Sequence, residues 1–408
     1  MTPAQDSLAT GQRSLGDASV RYPLWPPLTR GCPRTATPHL TYPVEVDYAY
    51  DDVPAGLFER TGPTGAGLDR WAPLLPPLAA PGLGEGGTPL LPIGDDVFIK
   101  DESRNPTWSH KDRLNRCTAS AAVGVGAEGV VVASSGNHGA SAAAYAARAG
   151  LRCVVLASAE APPAVVSFLR AYGAVVLPVP TAARWPLMRQ IVDRYGFHPV
   201  SNLTDTHTSH AFGPEGYKTV AYEIFTELGV PAAVFVPTGY GELLFGVWKG
   251  FTELERLGLA PRVPRIFSCE PSAGGPLAAA VREGRPAATV DTGPTKAYGI
   301  DCTVGGHRGV RAVTRSRGDA LLVTDEEMAS ARAELGRQGL WVELSAAAGL
   351  AGLRGHRARG GDAFDGPVVC VATSSGFKDL DTGTHPTEPV EPVWEQVDGR
   401  LRAAGITA

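Results

Sequence analysis

Lysine is scarce in this 408-residue chain: Lys100, Lys111, Lys218, Lys249, Lys296 and Lys378 are the only six among 37 basic residues. Chemistry that needs an amine nucleophile therefore has a short list of candidates. Lys111 stands in Asn105-Pro106-Thr107-Trp108-Ser109-His110-Lys111-Asp112-Arg113, where a polar loop gives way to an apolar helix. An amine there can face a crevice, and desolvation with a neighbouring cation lowers its pKa, as a Schiff-base lysine requires. The others suit this less. Lys100 ends a strand beside Asp101 and Glu102 and is expected to be ion-paired; Lys218 and Lys249 lie within helices; Lys296 and Lys378 lie in loops near the crevice or the surface.

Three turns of small residues follow apolar runs. Ser134-Ser135-Gly136-Asn137-His138-Gly139 comes after Gly129–Ala133 and opens an alanine-rich helix. Such a turn aims backbone N–H groups and hydroxyls at a carboxylate or phosphate at the carboxyl end of a parallel sheet, where the helix dipole also favours an anion. An ordinary glycine-containing turn between strand and helix remains the alternative. Pro237-Thr238-Gly239-Tyr240-Gly241-Glu242-Leu243 follows Ala233–Val236, and Thr373-Ser374-Ser375-Gly376 follows Pro367–Ala372. Three such turns imply one crevice and one ligand held at several points.

The elements that must position these residues begin at Val97. Strands are expected at Val97–Lys100, Gly129–Ala133, Arg152–Leu156, Ala174–Pro178, Ala233–Val236, Arg265–Cys269 and Pro367–Ala372. Helices are expected near 111–124, 137–149, 162–172, 184–195, 214–228, 242–257, 325–338 and 345–356, with Thr324 and Glu327 forming a capping box. Short apolar runs each followed by a helix are what a parallel sheet covered on both faces requires, so the fold class is doubly wound α/β. Residues 1–80, rich in Pro and Gly, read as an extended arm with one small hairpin; the tail after about Thr384 reads as surface.

Composition narrows the function classes. A net charge of -5 excludes a nucleic-acid binder working through a broad basic face. No apolar run approaches the roughly 20 residues of a membrane span, and Met1 to Val20 lacks a leader pattern, so a soluble cytoplasmic protein with no membrane partner is expected. Cys32, Cys117, Cys153, Cys269, Cys302 and Cys370 show no metal-like spacing and read as reduced, mostly buried thiols. Gly124-Val-Gly126-Ala-Glu-Gly129 and Gly82-Leu-Gly84-Glu-Gly-Gly87 match the dinucleotide fingerprint, but neither follows a strand and opens a helix, which argues against a nicotinamide cofactor. His207 and His210 lack further ligands at suitable spacing, so solvent- or substrate-facing roles are expected and no metal.

With these residues in view, the chain resembles the threonine synthase-like members of the fold type II pyridoxal phosphate enzymes, the tryptophan synthase β superfamily, from about Thr29 to Leu380. The markers are Leu83-Gly-Glu-Gly-Gly-Thr-Pro-Leu90; Lys100-Asp-Glu with Asn105-Pro-Thr and Ser109-His-Lys-Asp-Arg113; Ser135-Gly-Asn-His-Gly139; Glu215-Gly-Tyr-Lys-Thr219; Pro237-Thr-Gly239 with Trp248-Lys-Gly-Phe251; Val342-Glu-Leu-Ser-Ala346; and Thr373 with Gly376-Phe-Lys-Asp379. The resemblance implies two doubly wound domains with largely parallel sheets and pyridoxal 5'-phosphate in the crevice between them. Residues 81–116 and 207–390 would form the large domain, 117–206 a small mobile one, and 391–408 a tail. Lys111 would carry the Schiff base and act as acid and base. Asn137 would bond the ring's phenolic oxygen, Gly239, Tyr240, Gly241, Glu242 and Leu243 would hold the phosphate, and Thr373 would face the pyridine nitrogen. Ser134, Ser135, Gly136 and His138 would take the substrate carboxylate, with His110, His138, His207 and His210 reading its side chain. A homodimer is expected.

Three departures bear on activity. Glu242 and Leu243 stand where the family commonly has Gly and Asn; a carboxylate beside a phosphate is repelled, so Glu242 is expected to turn outward. The stretch Ser209-His-Ala-Phe-Gly213-Pro-Glu215 lacks the arginine with which threonine synthases grip substrate phosphate, which argues against O-phosphohomoserine. Only Cys32 remains of the amino-terminal finger of many relatives, so no zinc is expected there. The expected function is elimination or replacement at the β- or γ-carbon of a small activated amino acid; threonine synthase proper and a cofactor-binding, non-catalytic paralogue are the alternatives.

Overall fold

The computed structural model describes residues 6–59, 67–158, 163–379 and 389–406. The chain divides into a unit of Met1–Lys378 and a second of Asp379–Ala408, in which the described residues form the helix Trp394–Ala403.

The expected parallel strands form two sheets within the first unit. In the six-stranded sheet the order is Ala320–Val323, Arg265–Pro271, Ala233–Pro237, Val368–Ala372, Val97–Asp101, Leu90–Gly94. All its pairs are parallel except the last, where Leu90–Gly94 closes the edge antiparallel. The four-stranded sheet, wholly parallel, runs Val175–Val179, Arg152–Ser158, Gly129–Val132, His198–Pro199. Ala233–Pro237 and Val368–Ala372 are buried at every position, as strands covered on both faces by helices must be. The alternation of strand and helix expected from Val97 onward is present, and the architecture is α/β with mostly parallel sheets.

Helices Lys111–Gly124, Asn137–Arg148, Arg184–Tyr195, Lys218–Leu228, Glu242–Arg256 and Asp325–Arg337 fall within a few residues of expectation. The helix expected at 162–172 is Pro163–Ala171; residue 162 lies outside the described residues, as does the tail from 380 to 388. Thr324 and Glu327 make the capping box, the Thr324 hydroxyl accepting from Glu327 N–H and the Glu327 carboxylate accepting from Thr324 N–H.

The amino-terminal segment differs from the expected arm. Ala9–Ser14 pairs antiparallel with both Arg21–Tyr22 and Val44–Tyr48 in a three-stranded sheet. Val44 and Val46, 1% and 0% exposed, share one apolar core with Trp71, Tyr222, Val247 and Phe251. Fully burying a valine stabilises by roughly 1.5 to 3 kcal/mol, so this segment is part of the main body. All six cysteines are buried free thiols. Among the described residues no helix is long and apolar enough to cross a membrane.

Candidate active site

Lys111 is the first residue of its helix, and the loop before it is tied by its backbone to the carboxyl end of Val368–Ala372. His110 N–H donates to Thr373 O at 2.9 Å, Ser375 N–H donates to Trp108 O at 3.1 Å, and Ser109 bridges Ser374. These bonds set Lys111 beside Thr373. The next two residues anchor the helix. Asp112 accepts from Thr107 N–H (2.6 Å), Thr107 Oγ1 (2.5 Å) and Ser141 Oγ (2.6 Å), which joins the loop to the helix Asn137–Arg148. Arg113, 0% exposed, donates to Glu102 and Glu223 at 2.6–2.8 Å.

With both followers held inward, the Lys111 side chain stays 20% exposed, and burial of the amine draws its pKa down against the pull of Glu242. Lys100, Lys218 and Lys249 are locked in buried ion pairs, with Glu223 at 2.7 Å, Glu215 at 2.9 Å and Glu215 at 2.7 Å respectively. Lys100 is ion-paired as expected, but with Glu223 rather than with its sequence neighbours. Lys296 is exposed.

Ser134, Ser135 and Gly136 form the turn that opens the helix Asn137–Arg148, all partly open. A Cβ on Gly139 would stand 2.0 Å from Ser134 O, so only glycine lets this turn close. Asn137 Nδ2 donates to both Glu343 oxygens (3.0 and 3.2 Å), and Asn137 Oδ1 accepts from Lys378 Nζ (2.8 Å). Lys378 thus belongs to the crevice, and burial draws its pKa down to about 8. Burial also draws the His138 imidazole down to about 3, and its Nε2 is buried without a partner. His110 is held by Thr373 O, 3.1 Å from its Nδ1, and burial keeps it neutral.

Gly239, Tyr240 and Gly241 form the turn before the helix Glu242–Arg256. Gly241 adopts φ +83°, and a Cβ there would meet Gly309 Cα at 2.8 Å. Tyr240 stacks on His207, ring centroids 4.0 Å apart at 6°. Leu243 is 5% exposed and sits in the apolar core. Glu242 does not turn outward: it is 7% exposed, accepts a hydrogen bond from Ser209 Oγ, and its Oε2 lies 4.0 Å from Lys111 Nζ. The Ser209 hydroxyl and the nearby Lys111 ammonium hold it inside, while burial raises its pKa. His210 is also placed otherwise than expected. It is 1% exposed, its Nε2 lies 2.8 Å from His198 Nε2, and its Nδ1 accepts from Phe212 and Gly213 N–H, so both ring nitrogens serve the fold.

Arg308 carries no local sequence signal of a site. It is 2% exposed, donates to the carbonyls of Thr208 and Val44, leaves Nε without a partner, and acts electrostatically on Glu242. Glu343 and Lys378 lie within two of the quoted markers, Val342–Ala346 and Gly376–Asp379, so their signal was present although their pairing through Asn137 was not.

These groups fit the aldehyde end of pyridoxal phosphate: a partly open, desolvated amine stands beside Thr373, and a helix-opening turn carries an orphaned imidazole nitrogen that can take a polar ligand. The glycine turn 239–241 at a helix start suits a phosphate, and among the described residues Glu242 is the like-charged group there.

The profile of a family described as "Pyridoxal-phosphate dependent enzyme" matches residues 82–374. The chain is similar to a protein named threonine synthase from Mycobacterium bovis, 32% identical over 376 residues, covering 88% of this chain and 95% of that one. It is likewise similar to one so named from Methanocaldococcus jannaschii, 32% identical over 333 residues, covering 77% and 80%. Among solved structures, maize serine racemase superposes with a TM-score of 0.63 at 21% identity, covering 78% of this chain and 93% of that one. A fungal L-serine ammonia-lyase from Rhizomucor miehei gives 0.61 at 21%, covering 71% and 93%. These two likenesses speak to the fold, which is that of the fold type II enzymes.

Proposed function

Since the chain belongs to the pyridoxal-phosphate dependent enzyme family, with relatives named threonine synthase, we propose that it catalyses elimination or replacement at the β- or γ-carbon of a small activated amino acid other than O-phosphohomoserine. The observation that carries this reading is Lys111: of six lysines it alone combines partial exposure, desolvation and a place at a helix start beside Thr373.

Pyridoxal phosphate, when bound, supplies an electron sink that labilises the bonds at the amino acid's α-carbon. Lys111 Nζ would hold the cofactor's aldehyde and, as a free amine, would take and return the α-proton. Its lowered pKa leaves a larger neutral fraction for that task near neutral pH. Thr373 would offer a neutral hydroxyl to the ring nitrogen, which would leave that nitrogen less protonated and favour leaving-group expulsion over racemisation. Asn137 has both polar atoms engaged, by Lys378 and Glu343, and would reach the ring's phenolic oxygen only by giving up one of its bonds to Glu343. The Ser134–His138 turn takes the substrate carboxylate through N–H groups and hydroxyls. His110, neutral and hydrogen-bonded to Thr373 O, and His207, stacked on Tyr240, line the side-chain end. Residues 117–206, which include the four-stranded sheet, act as the small domain.

Gly213 stands in the stretch where an arginine would grip a substrate phosphate, which supports a different activated serine or homoserine derivative. The names of the relatives favour threonine synthase proper as the second reading. A screen of O-acetyl-L-serine, O-phospho-L-serine and O-phospho-L-homoserine with the purified protein separates the two. Ketoacid or a replacement product from one of the serine esters, without threonine from the phosphohomoserine, is the expected result. Threonine formation with inert serine esters would establish the second reading instead.

A further inference from the structure

Glu242 is an acid in the turn assigned to the cofactor phosphate, and the fold holds it there. It opens the helix Glu242–Arg256, directly after the left-handed Gly241, and is buried. Its surroundings are those of a bound anion. Ser209 Oγ donates to it, Lys111 Nζ from the helix Lys111–Gly124 lies 4.0 Å away, and Arg308 from the helix His307–Arg315 acts on it electrostatically. The phenols of Tyr217 and Tyr240 face it on its other sides. Its own carboxylate thus uses the cations and the helix start that an incoming phosphate needs.

We propose that Glu242 sets this chain's affinity for the phosphorylated form of its cofactor: the phosphate enters the 239–243 turn only as Glu242 takes up one proton, so phosphate binding and protonation of Glu242 are coupled. Two like charges cannot share the space that Lys111 and Arg308 neutralise, and a protonated Glu242 can keep its contact with Ser209 by accepting through its carbonyl oxygen. Burial already biases the carboxyl toward the neutral form, although Lys111 and Arg308 oppose this. The proposal rests on the reading of Lys111 and the 239–243 turn as the cofactor site.

The test compares binding of pyridoxal phosphate and of pyridoxal, which lacks the phosphate, to the full-length apoprotein over roughly pH 6.5 to 9, for the native chain and for E242Q. Titration of the phosphate is common to both proteins, and any shift in Lys111, whose pKa Glu242 helps hold up, appears equally with pyridoxal, so the difference between the two ligands isolates Glu242 at the phosphate. The native dissociation constant for pyridoxal phosphate is expected to rise with pH more steeply than that of E242Q, by up to about tenfold per unit. At the alkaline end E242Q binds about tenfold tighter or better, whereas pyridoxal binding changes little. E242G, which places a glycine in the turn, gives the same comparison if the amide variant does not fold. Equal pH slopes in native and variant proteins, or a selective loss of pyridoxal phosphate affinity in E242Q, would overturn the proposal while leaving Lys111 as the cofactor lysine. Binding of neither compound by any of the proteins would overturn the cofactor site itself, and the proposal with it.

Discussion

Lys378 Nζ donates a 2.8 Å hydrogen bond to Asn137 Oδ1, across 241 residues of sequence, while Asn137 Nδ2 is spent on Glu343. The amide that faces the proposed ring edge therefore has its rotamer fixed from both ends.

Removing the ammonium should loosen that amide. K378M forfeits a charged hydrogen bond worth roughly 1.5 to 3 kcal/mol where Asn137 is pinned, and it is expected to weaken cofactor binding about tenfold, read by titration of the visible absorbance. Stability should also depend on pH through this residue. Because the folded pKa is drawn down to about 8, the unfolded chain binds more protons at this residue between pH 8 and its ordinary value above 10. Native stability should therefore gain on K378M as pH rises through that window, by up to about 1.4 kcal/mol per unit, in paired denaturation curves.

Asp112 accepts three hydrogen bonds that join the loop before Lys111 to the helix Asn137–Arg148. D112N keeps the volume but puts an NH2 group against donors. It is expected to lower stability by about 2 to 3 kcal/mol, read as an earlier urea midpoint with unchanged slope. Activity should fall further than stability, since the misplaced element carries Lys111.

Gly241 has two reasons to be glycine: φ +83° and a prospective Cβ only 2.8 Å from Gly309 Cα. G241A is expected to lose about 1 to 3 kcal/mol of stability and to separate the helix starts at 242 and 307. A fall in thermal midpoint together with weaker pyridoxal phosphate binding, and little change for pyridoxal, is the expected pattern.

Much of this fold was readable because its strands are short apolar runs between Gly and Pro. What escaped had weak or misleading local signals. Leu90–Gly94 carries Pro92 and a terminal glycine, and survives as a strand because it is the edge. His198–Pro199 is two residues long and extended only by pairing with Gly129–Val132. The helix His307–Arg315 has three arginines in nine residues and reads as polar until Arg308 is seen buried among carbonyls. The site divides similarly. Lys111, Asn137 and Thr373 stand in turns whose spacing announces them. The inward direction of Glu242 depends on Ser209, Lys111 and Arg308, which only the tertiary fold assembles, and the pairing of His210 with His198 arises in the same way.

Lys111 also separates structure from chemistry. Its side chain lies 4.0 Å from the buried Glu242 carboxylate and 5.7 Å from the Tyr217 ring centroid, so K111A should retain the native circular dichroism with a loss of about 1 to 3 kcal/mol, while turnover vanishes.

The most direct measurement is borohydride reduction of the purified, cofactor-loaded protein followed by peptide mass mapping. The pyridoxyl mass should appear on the peptide containing Lys111 and be lost from K111A. A pyridoxyl group on Lys378 or any other lysine, with the Lys111 peptide unmodified, would contradict the assignment of the site.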